Sequence, residues 1–467
     1  MVILKSNTKD RLWRQHMTKR LIRRRRWTSF RIITVGFLGV ILSGSLLLML
    51  SFASADGRSA SFFDALFTAT SATCVTGLVV QDTATYWSGF GQLIILLLIQ
   101  IGGMGVVTIA VAVATASSRK IGLMQRSTMQ EAIAAPSVGG IVRLTGFILK
   151  ATFMIEILGA MAMMPVFIRD FGPLKGIWYA VFHSISAFCN AGFDLMGRDG
   201  ALYQSLTGYS GSPLINIVVM TLIIVGGIGF TTWDDLVRNG VHFHKYRLQS
   251  KVVLTTTAIL LVVPFLYFYF GEFSQSVWQM DGAEKIQAAL FQTVTPRTAG
   301  FNTVDLNLFT QAGQTLIIIL MLIGGSPGST AGGMKTTTLA VMFMNLKAVF
   351  TKREDAGCFG RRIDADVIKN AAAIMLMYVL FFMTGGIIIS RVENLPILIC
   401  LFETASAVGT VGLTLGITPT LGAVSRCILI ILMYVGRVGG LTLIFAALSA
   451  DKPRNVSRFP KEKITVG

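Results

Sequence analysis

A short glycine-bearing motif occurs four times in this chain, and its regular spacing constrains the fold more than any other feature. The copies span residues 71–78, 186–193, 295–301 and 406–414. Their glycines recur at intervals of 108 to 115 residues (Gly77, Gly192, Gly300 and Gly412), and each follows a phenylalanine by nine or ten residues (Phe67, Phe182, Phe291 and Phe402). A fixed period of this length indicates four copies of one structural unit.

The composition predicts that these units lie in a membrane. Of the 467 residues, 53% are hydrophobic and 14% are charged, and the mean hydropathy is +0.67. Too few polar side chains remain to cover a water-soluble surface of this size. The five cysteines are odd in number and lack metal-ligand spacing, so they indicate neither a disulfide framework nor a zinc site.

Eight apolar runs are long enough to span a bilayer, which takes roughly 20 residues of helix. They cover residues 30–53, 90–115, 144–168, 213–232, 252–270, 314–343 (interrupted), 370–390 and 425–448. A shorter apolar segment lies between the two runs of each unit, at residues 61–72, 176–188, 283–294 and 395–405. At roughly 12 residues, these segments are typical of re-entrant half-helices that enter the membrane without crossing it.

The predicted fold is therefore an all-α integral membrane protein with eight transmembrane helices. Four repeats of span, half-helix, loop and span surround one pore with pseudo-fourfold symmetry. The pattern divides the chain into a basic N-terminus, four pore repeats and a C-terminal tail, at residues 1–29, 30–116, 144–233, 252–344, 370–448 and 449–467. The first apolar run is longer than the core of a signal peptide, so we expect it to be a retained helix.

The distribution of positive charge predicts the orientation. Of the 41 lysines and arginines, 30 lie in the termini and in the loops between repeats, whereas six lie in the loops within repeats. Because cytoplasmic loops collect Lys and Arg, both termini are expected in the cytoplasm and the four glycine loops are expected to open outward. The net charge of +18 then follows from orientation in the membrane and needs no nucleic-acid partner. The N-terminal arginines are a candidate contact for anionic lipid.

The glycine loops are the predicted ion-binding site. Backbone that leaves a helix at membrane depth must be buried in protein or line a water-filled path. Carbonyl oxygens there can replace the water around a cation, and glycine permits the necessary backbone angles. Glycines that only pack helices are the alternative, but four copies at one period disfavour it. The candidate filter residues carry no side-chain charge: Val75, Thr76, Gly77, Asn190, Ala191, Gly192, Thr298, Ala299, Gly300, Thr410, Val411 and Gly412.

These loops and the eight-span layout resemble the Trk/Ktr/HKT family of potassium transporters, most closely the Ktr membrane subunits (KtrB and KtrD). The resemblance covers nearly the whole chain after the basic N-terminus. It implies a potassium-selective pore in each protomer, a homodimer in the cell membrane, and a cytoplasmic ring of nucleotide-binding regulatory subunits (KtrA or KtrC). Glycine stands at all four filter positions, as in the potassium-selective members; sodium-selective plant relatives carry a serine at the first. Sodium is an expected activator, and this chain is expected to bind no cofactor or nucleotide itself.

A second set of copies lies in the second span of each repeat, at residues 101–108, 225–232, 323–330 and 435–442. In the first two repeats we interpret the paired glycines as packing positions. In the third, residues 324–338 interrupt an apolar helix with small and polar residues, a proline and a lysine, which predicts a flexible gate loop beneath the filter. The gate candidates are Gly324, Gly325, Ser326, Pro327, Gly328, Ser329, Thr330, Gly332, Gly333, Lys335 and, from the fourth repeat, Arg437. Met334 separates Gly333 from Lys335, so this segment does not match a phosphate-binding loop.

Arg437 replaces the glycine that the other three copies carry at this position. An arginine near the middle of a membrane must face a cavity or a partner. Two interpretations are open: an electrostatic barrier on the pore axis, which the family resemblance also implies, or a structural arginine that snorkels or pairs with Glu156. Glu156 is itself an acid within a span and needs a partner. Acids on the outer face, among them Asp64 and Glu403, are expected to raise the cation concentration at the pore mouth or to be ordinary solvated charges.

The sequence therefore predicts potassium uptake through a pore that is selective in four loops and gated below them. A sodium-permeable or poorly selective cation transporter of the same family is the alternative within transport. A membrane-embedded enzyme is the alternative outside it, but the polar interruption offers Ser326, Ser329, Thr330 and Lys335 without a nearby histidine or acid pair. We therefore expect no enzymatic activity.

Overall fold

The computed structural model describes residues 28–106, 108–110, 122–133, 139–440 and 442. The basic segment 1–27 and the tail 449–467 lie outside the described residues, so the predictions that concern them have no structural counterpart here. The described part is mainly α-helical, and its helices follow the order expected for four repeats.

Each repeat opens with a long apolar helix, which we call its outer helix. The outer helices of repeats 1 to 4 are Ser29–Leu48, Ile141–Phe171, Leu248–Tyr267 and Ala365–Glu393, and the third continues as a π-helical turn over Phe268–Glu272. By length and composition these four can cross a membrane, and a bent pair in repeat 2 makes a fifth candidate. They correspond to the first span predicted for each repeat.

The second helix of each repeat, its inner helix, is shorter than the sequence predicts. The inner helices are Gly89–Met104, Pro213–Gly227, Gln311–Leu322 and Ala423–Val438. In repeats 1, 2 and 4 the regular helix ends at a glycine of positive φ, Gly105 (+85°), Gly229 (+93°) or Gly439 (+88°). The second spans predicted over 90–115, 213–232 and 425–448 are therefore not single regular helices in the described residues, because these glycines adopt a backbone conformation that a helix does not contain.

The chain continues differently after each break. In repeat 2 it forms the helix Phe230–Asn239 at 98° to the preceding helix. In repeat 3, residues 323–335 separate the inner helix from the helix Thr336–Phe350. The glycine pairs of the first two repeats pack closely, as the sequence predicts, since a methyl group at Gly102 or Gly226 would collide with the carbonyl oxygen of Thr73 or Phe188. The helix breaks fall at the nearby Gly105 and Gly229.

A short helix, the half-helix, precedes each glycine loop as predicted. The half-helices are Phe62–Thr73, Pro173–Phe188, Gly282–Val294 and Ile397–Gly409. Their starts follow the usual capping chemistry: Ser61 and Asp281 accept hydrogen bonds from the backbone N–H groups of Asp64 (3.1 Å) and Glu284 (2.8 Å). Pro173 begins the second, where a missing N–H is tolerated. The repeated phenylalanines are fully buried on these helices: Phe67, Phe182, Phe291 and Phe402.

The remaining elements are peripheral. Two helices, Leu123–Ile133 and Phe230–Asn239, lie between the second repeat and its neighbours, and an antiparallel pair of two-residue strands, Gly357–Cys358 and Arg361–Arg362, follows the helix Thr336–Phe350. Short 3₁₀ turns cover Ser51–Ala53, Thr207–Tyr209, Phe243–Lys245, Leu306–Leu308 and Thr418–Thr420.

Contacts between repeats follow the order of the chain. The inner helix of each of the first three repeats packs against the half-helix of the next, and the inner helix of the fourth packs against the half-helix of the first. This contact between Ala423–Val438 and Phe62–Thr73 closes the series into a ring. The ring brings the C-terminal ends of all four half-helices, and hence the glycine loops, to its centre.

Two glutamates, one buried and one half-buried, fix the N-terminal end of an inner helix to the outer helix of the same repeat. Glu272, which is 1% exposed, accepts hydrogen bonds from the backbone N–H (2.7 Å) and the hydroxyl (2.9 Å) of Thr310, the residue that caps the third inner helix. Glu393 does the same for the fourth, accepting from the Gly422 N–H (2.9 Å) and the Ser425 hydroxyl (2.5 Å). Both carboxylates satisfy N–H groups that a helix start leaves without partners.

We expect Glu272→Ala to lower the free energy of unfolding by about 1–3 kcal/mol, because it leaves a buried N–H and hydroxyl without their acceptor. The measurement is the apparent melting temperature of the purified protein in detergent. Glu354→Ala is the control, since Glu354 is exposed. Equal melting temperatures for the two variants would contradict the capping role.

Candidate functional site

The four glycine loops, residues 75–77, 190–192, 298–300 and 410–412, share one backbone shape. The first residue of each triplet has a positive φ of 52° to 66° (Val75, Asn190, Thr298 and Thr410), and the glycine that ends each has a positive φ of 68° to 98° (Gly77, Gly192, Gly300 and Gly412). Three different residue types adopt this left-handed conformation at the first position, and it is uncommon for residues with a side chain. The surrounding structure therefore holds the loops in a specific conformation.

One serine or threonine on each half-helix holds the loop in this shape. The backbone carbonyl of this anchor residue accepts a hydrogen bond from the N–H of the middle loop residue, at 2.8 Å from Ser71, Ser186 and Ser406 and at 3.0 Å from Thr295. The anchor hydroxyls form a second hydrogen bond, to the glycine of the loop or to the residue that follows it. Those of Ser71 and Ser406 accept from the glycine N–H at 3.1 and 3.0 Å, whereas those of Ser186 and Thr295 donate to the carbonyls of Phe193 (2.7 Å) and Phe301. All four anchors are fully buried.

The loops meet one another in order around a closed ring. A methyl group at Gly77 would lie 2.5 Å from the Ala191 carbonyl oxygen, and one at Gly192 would lie 2.8 Å from that of Ala299. A methyl group at Gly300 would collide with the Val411 carbonyl oxygen, and one at Gly412 with that of Thr76. Each glycine therefore faces the middle carbonyl of the following loop, and a side chain at any of them would displace a neighbouring repeat.

None of the twelve loop carbonyl oxygens accepts a hydrogen bond within the described part of the chain. The twelve residues are nevertheless buried. Backbone carbonyls of buried residues nearly always have a partner, so these twelve oxygens are candidates for binding a ligand. The half-helices add to their negative potential, because their C-terminal ends lie directly before the loops. This arrangement is suited to a desolvated cation.

The segment 323–335 lies against these loops. Its Ser326 and Thr330 N–H groups donate to the carbonyls of Gly227 (2.9 Å) and Gly226 (3.2 Å), and its Gly333 N–H donates to that of Gly436 (3.2 Å). These acceptors lie at the ends of the second and fourth inner helices. The Thr330 hydroxyl also donates to the Phe188 carbonyl (3.0 Å) at the end of the second half-helix.

The contact with the fourth loop is the closest. A methyl group at Gly332 would collide with the Thr410 side chain, and one at Gly333 would lie 2.8 Å from the Gly409 carbonyl oxygen. The Lys335 amine turns back onto its own segment and donates to the carbonyls of Ala331 (2.7 Å) and Gly332 (3.2 Å). Movement of this segment would therefore change the surroundings of the fourth loop directly.

Arg437 connects this segment to the first repeat. Its guanidinium donates to the carbonyl oxygens of Thr330, Gly102 and Gly103, the last at 3.0 Å. Pairing with Glu156, one of the two interpretations left open by the sequence, is wrong. The Glu156 carboxylate instead accepts hydrogen bonds from the Gln100 amide, at 3.0 and 3.2 Å, and from the Cys189 thiol, at 3.9 Å.

Asp64 and Glu403 also have protein partners, which corrects one of the two alternatives, that they are ordinary solvated charges. Glu403 is fully buried on the fourth half-helix and accepts from the hydroxyls of Thr414 (2.9 Å) and Thr418. Asp64 forms an ion pair with Arg426 at 2.9 Å. Glu403 thus holds the chain that leaves the fourth loop, a role that the sequence did not reveal because the threonines lie 11 and 15 residues away.

The comparisons with known proteins agree with this architecture. Residues 1–457 match the family model TrkH, described as a cation transport protein. The chain is 39% identical over 461 residues to the potassium/sodium uptake protein NtpJ of Enterococcus hirae, a match that covers 97% of this chain and 99% of that protein. It is 36% identical over 444 residues to the Ktr system potassium uptake protein B of Bacillus subtilis, covering 95% and 97%.

A solved structure shares the fold. The potassium transporter TrkH from Vibrio parahaemolyticus aligns with a TM-score of 0.67 at 22% identity, over 88% of this chain and 84% of that one. The apolar helices, the carbonyl ring and these matches define a membrane-embedded transporter. The chain belongs to the TrkH family of cation transport proteins, which confirms the family resemblance of its loops.

The ring predicts different effects for two glycines that have similar backbone angles. Gly412 (φ +98°) and Gly416 (φ +91°) both disfavour a side chain by conformation, but only Gly412 faces a neighbouring loop, whereas Gly416 faces open space. We therefore expect Gly412→Ala to lower the melting temperature of the purified protein clearly more than Gly416→Ala. Equal losses would mean that backbone strain alone, at about 1–3 kcal/mol, explains both glycines.

Proposed function

We propose that this chain is the ion-translocating membrane subunit of a Ktr-type potassium uptake system. The observation that carries the proposal is that the twelve carbonyl oxygens of these loops, all on buried residues, accept no hydrogen bond from the described residues. A potassium ion would take the place of the missing donors, so that loops 75–77, 190–192, 298–300 and 410–412 act as the selectivity filter. The names of the two relatives, a potassium/sodium and a potassium uptake protein, support this substrate class.

The pore would lie at the centre of eight transmembrane helices with pseudo-fourfold symmetry. Four outer helices supply one span each, and we propose that each inner helix, together with the chain after its break, supplies the second. The ring of contacts between successive inner helices and half-helices supports this arrangement. The charge bias of the sequence supports cytoplasmic termini and outward-facing glycine loops in a multi-pass protein of the cell membrane.

Below the filter, we propose that residues 324–338 form the gate. Gly324, Gly325, Ser326, Pro327, Gly328, Ser329, Gly332 and Gly333 would give the segment its mobility, while Lys335 and Arg437 place two positive charges against the path. The Arg437 contacts to Thr330, Gly102 and Gly103 support a latch that holds the segment in place. A permeating cation would have to overcome this positive potential, unless the Arg437 hydrogen bonds break first and the charge moves away.

Control of this gate would come from other chains. We propose a homodimer in the membrane that carries a ring of KtrA- or KtrC-like nucleotide-binding subunits on the cytoplasmic side, with sodium as an activator. The name of the B. subtilis relative, a protein of a Ktr system, supports the idea of a system with several components. The sodium in the name of the E. hirae relative keeps a sodium-permeable or poorly selective transporter as the alternative.

Potassium uptake is the first test. A bacterium that lacks its own uptake systems and carries this chain with a regulatory subunit should grow and take up potassium at limiting potassium. Gly300→Ser should reduce the preference for potassium over sodium, because a side chain there displaces the fourth loop. Gly416→Ser is the control and should retain the preference. An inserted wild-type chain that moves neither ion would refute the pore.

The second test concerns Arg437. We expect Arg437→Gln to raise the basal potassium uptake several-fold, because the barrier charge and the latch are both lost. Arg437→Lys retains the charge but cannot reach three carbonyls in the same geometry. If Arg437→Lys takes up potassium at the rate of the wild type, the barrier depends on the positive charge. If it takes up potassium at the rate of Arg437→Gln, the barrier depends on the hydrogen bonds to the three carbonyls. Unchanged uptake in both variants would remove Arg437 from the gate.

A further inference from the structure

Two adjoining basic cavities lie at the foot of the third repeat, away from the glycine loops. The first, of about 410 Å³, lies between the C-terminal turns of the helix Thr336–Phe350 and the hairpin of the two short strands. Four of the residues that line it are basic, Lys347, Arg353, Arg361 and Arg362, and one is acidic, Asp355.

The second cavity, of about 470 Å³, shares Phe359 and Arg361 with the first. Its other wall is the segment between the second and third repeats, which adds basic side chains and no acid: His244, Lys245, Arg247 and Lys251. The rings of Phe243 and Phe359, 5.9 Å apart, join this segment to the hairpin. The two cavities therefore form one continuous basic groove between repeats.

Much of the positive charge in the groove is not neutralised by the protein. Among the described residues, Lys245, Lys347, Arg353 and Arg361 form no ion pair. Arg362 lies 3.7 Å from Asp355, but both are well exposed, so this pair contributes little. Only Arg247 is well paired, with Asp234 (3.3 Å) and Asp235 (3.5 Å). The groove thus has a positive potential that an anion could neutralise.

We propose that this groove binds a phosphate group, first of all the headgroup of an anionic lipid in the adjacent leaflet. Arginine is well suited to this ligand, since its planar guanidinium can donate two parallel hydrogen bonds to a phosphate. Basic pockets between transmembrane helices on the cytoplasmic side are known to accept such headgroups. The proposal rests on residues that the ion pathway does not use.

An exposed apolar surface beside the groove favours a lipid over a soluble phosphate. Phe343, Leu346 and Phe350 lie on the same helix as Lys347 and are 61%, 47% and 76% exposed. Their spacing of three and four residues places them on one face of that helix. A lipid could therefore place its phosphate among the arginines while its acyl chains lie along these side chains.

Occupation of the groove would act on the gate through this helix. Thr336–Phe350 begins directly after the segment 323–335, and its last turns form a wall of the first cavity. A phosphate that bridges Lys347 to Arg353 or Arg361 would join the end of the helix to the hairpin. The lipid would then bias the position of the element that follows the gate.

The test is lipid binding by the full-length protein, purified in a zwitterionic detergent and observed by native mass spectrometry. The probes are dioleoylphosphatidylglycerol, inorganic pyrophosphate and, as the net-neutral reference, dioleoylphosphatidylcholine, in which a choline cation balances the phosphate. The double variant Arg353→Gln/Arg361→Gln removes two charges from the groove. The matched control, Lys352→Gln/Lys369→Gln, removes two exposed charges nearby that line neither cavity.

We expect the wild type and the control to retain phosphatidylglycerol in preference to phosphatidylcholine, and the groove variant to bind it roughly tenfold or more weakly. If pyrophosphate displaces phosphatidylglycerol, the groove is still a phosphate-binding site, but its ligand is a soluble phosphate. An equal loss of binding in both double variants would show a general charge effect and overturn the proposal. A wild type without preference for phosphatidylglycerol that also fails to bind pyrophosphate would overturn it as well.

Discussion

The twelve carbonyl groups of the glycine loops, which accept no hydrogen bond from the described residues, are the constraint on which the rest of this structure depends. A backbone group without a partner costs several kcal/mol in a medium that excludes water, so other interactions must hold the loops in shape. The anchors Ser71, Ser186, Thr295 and Ser406 bond the loops to the half-helices. The half-helices are in turn fixed by buried phenylalanines and by the inner helices of neighbouring repeats. The apolar packing of the repeats thus stabilises a polar centre that would be unfavourable alone.

Arg437 and Lys335 place two positive charges next to backbone carbonyls and donate hydrogen bonds to them. A helix that ends at membrane depth leaves its last carbonyls without partners. Arg437 donates to Gly102 and Gly103, at the end of the first inner helix, and to Thr330 in the interrupted segment. Lys335 donates to two further carbonyls of that segment. Broken helices and half-buried cations therefore satisfy each other, which explains how these charges are accommodated without an ion pair among the described residues. Any movement of the segment must exchange these hydrogen bonds for others, so the same contacts oppose such a movement.

The sequence revealed the elements that depend on local signals. The half-helices begin at recognisable caps such as Ser61 and Asp281, and the phenylalanines and glycines mark their positions by repetition. It did not reveal where the inner helices end, because the apolar pattern continues past Gly105, Gly229 and Gly439 and a glycine alone does not specify its φ. The acceptors of Arg437 were also hidden, since they are backbone carbonyls more than 100 residues away. Glu403 was expected among the solvated acids because the threonines that cover it are neighbours only after folding.

The third repeat shows that the four loops share one backbone geometry although their sequences differ. It has one residue fewer between its anchor Thr295 and its loop, and the bond from the middle loop residue therefore spans four residues where the other repeats span five. Its glycine still faces the carbonyl of the next loop, as in the other three repeats. Side chains around the loops differ freely, with Arg297 in the position of Cys74 and Cys189, while the backbone shape is retained. A site made of main-chain oxygens tolerates such differences, provided that glycine remains where successive repeats meet.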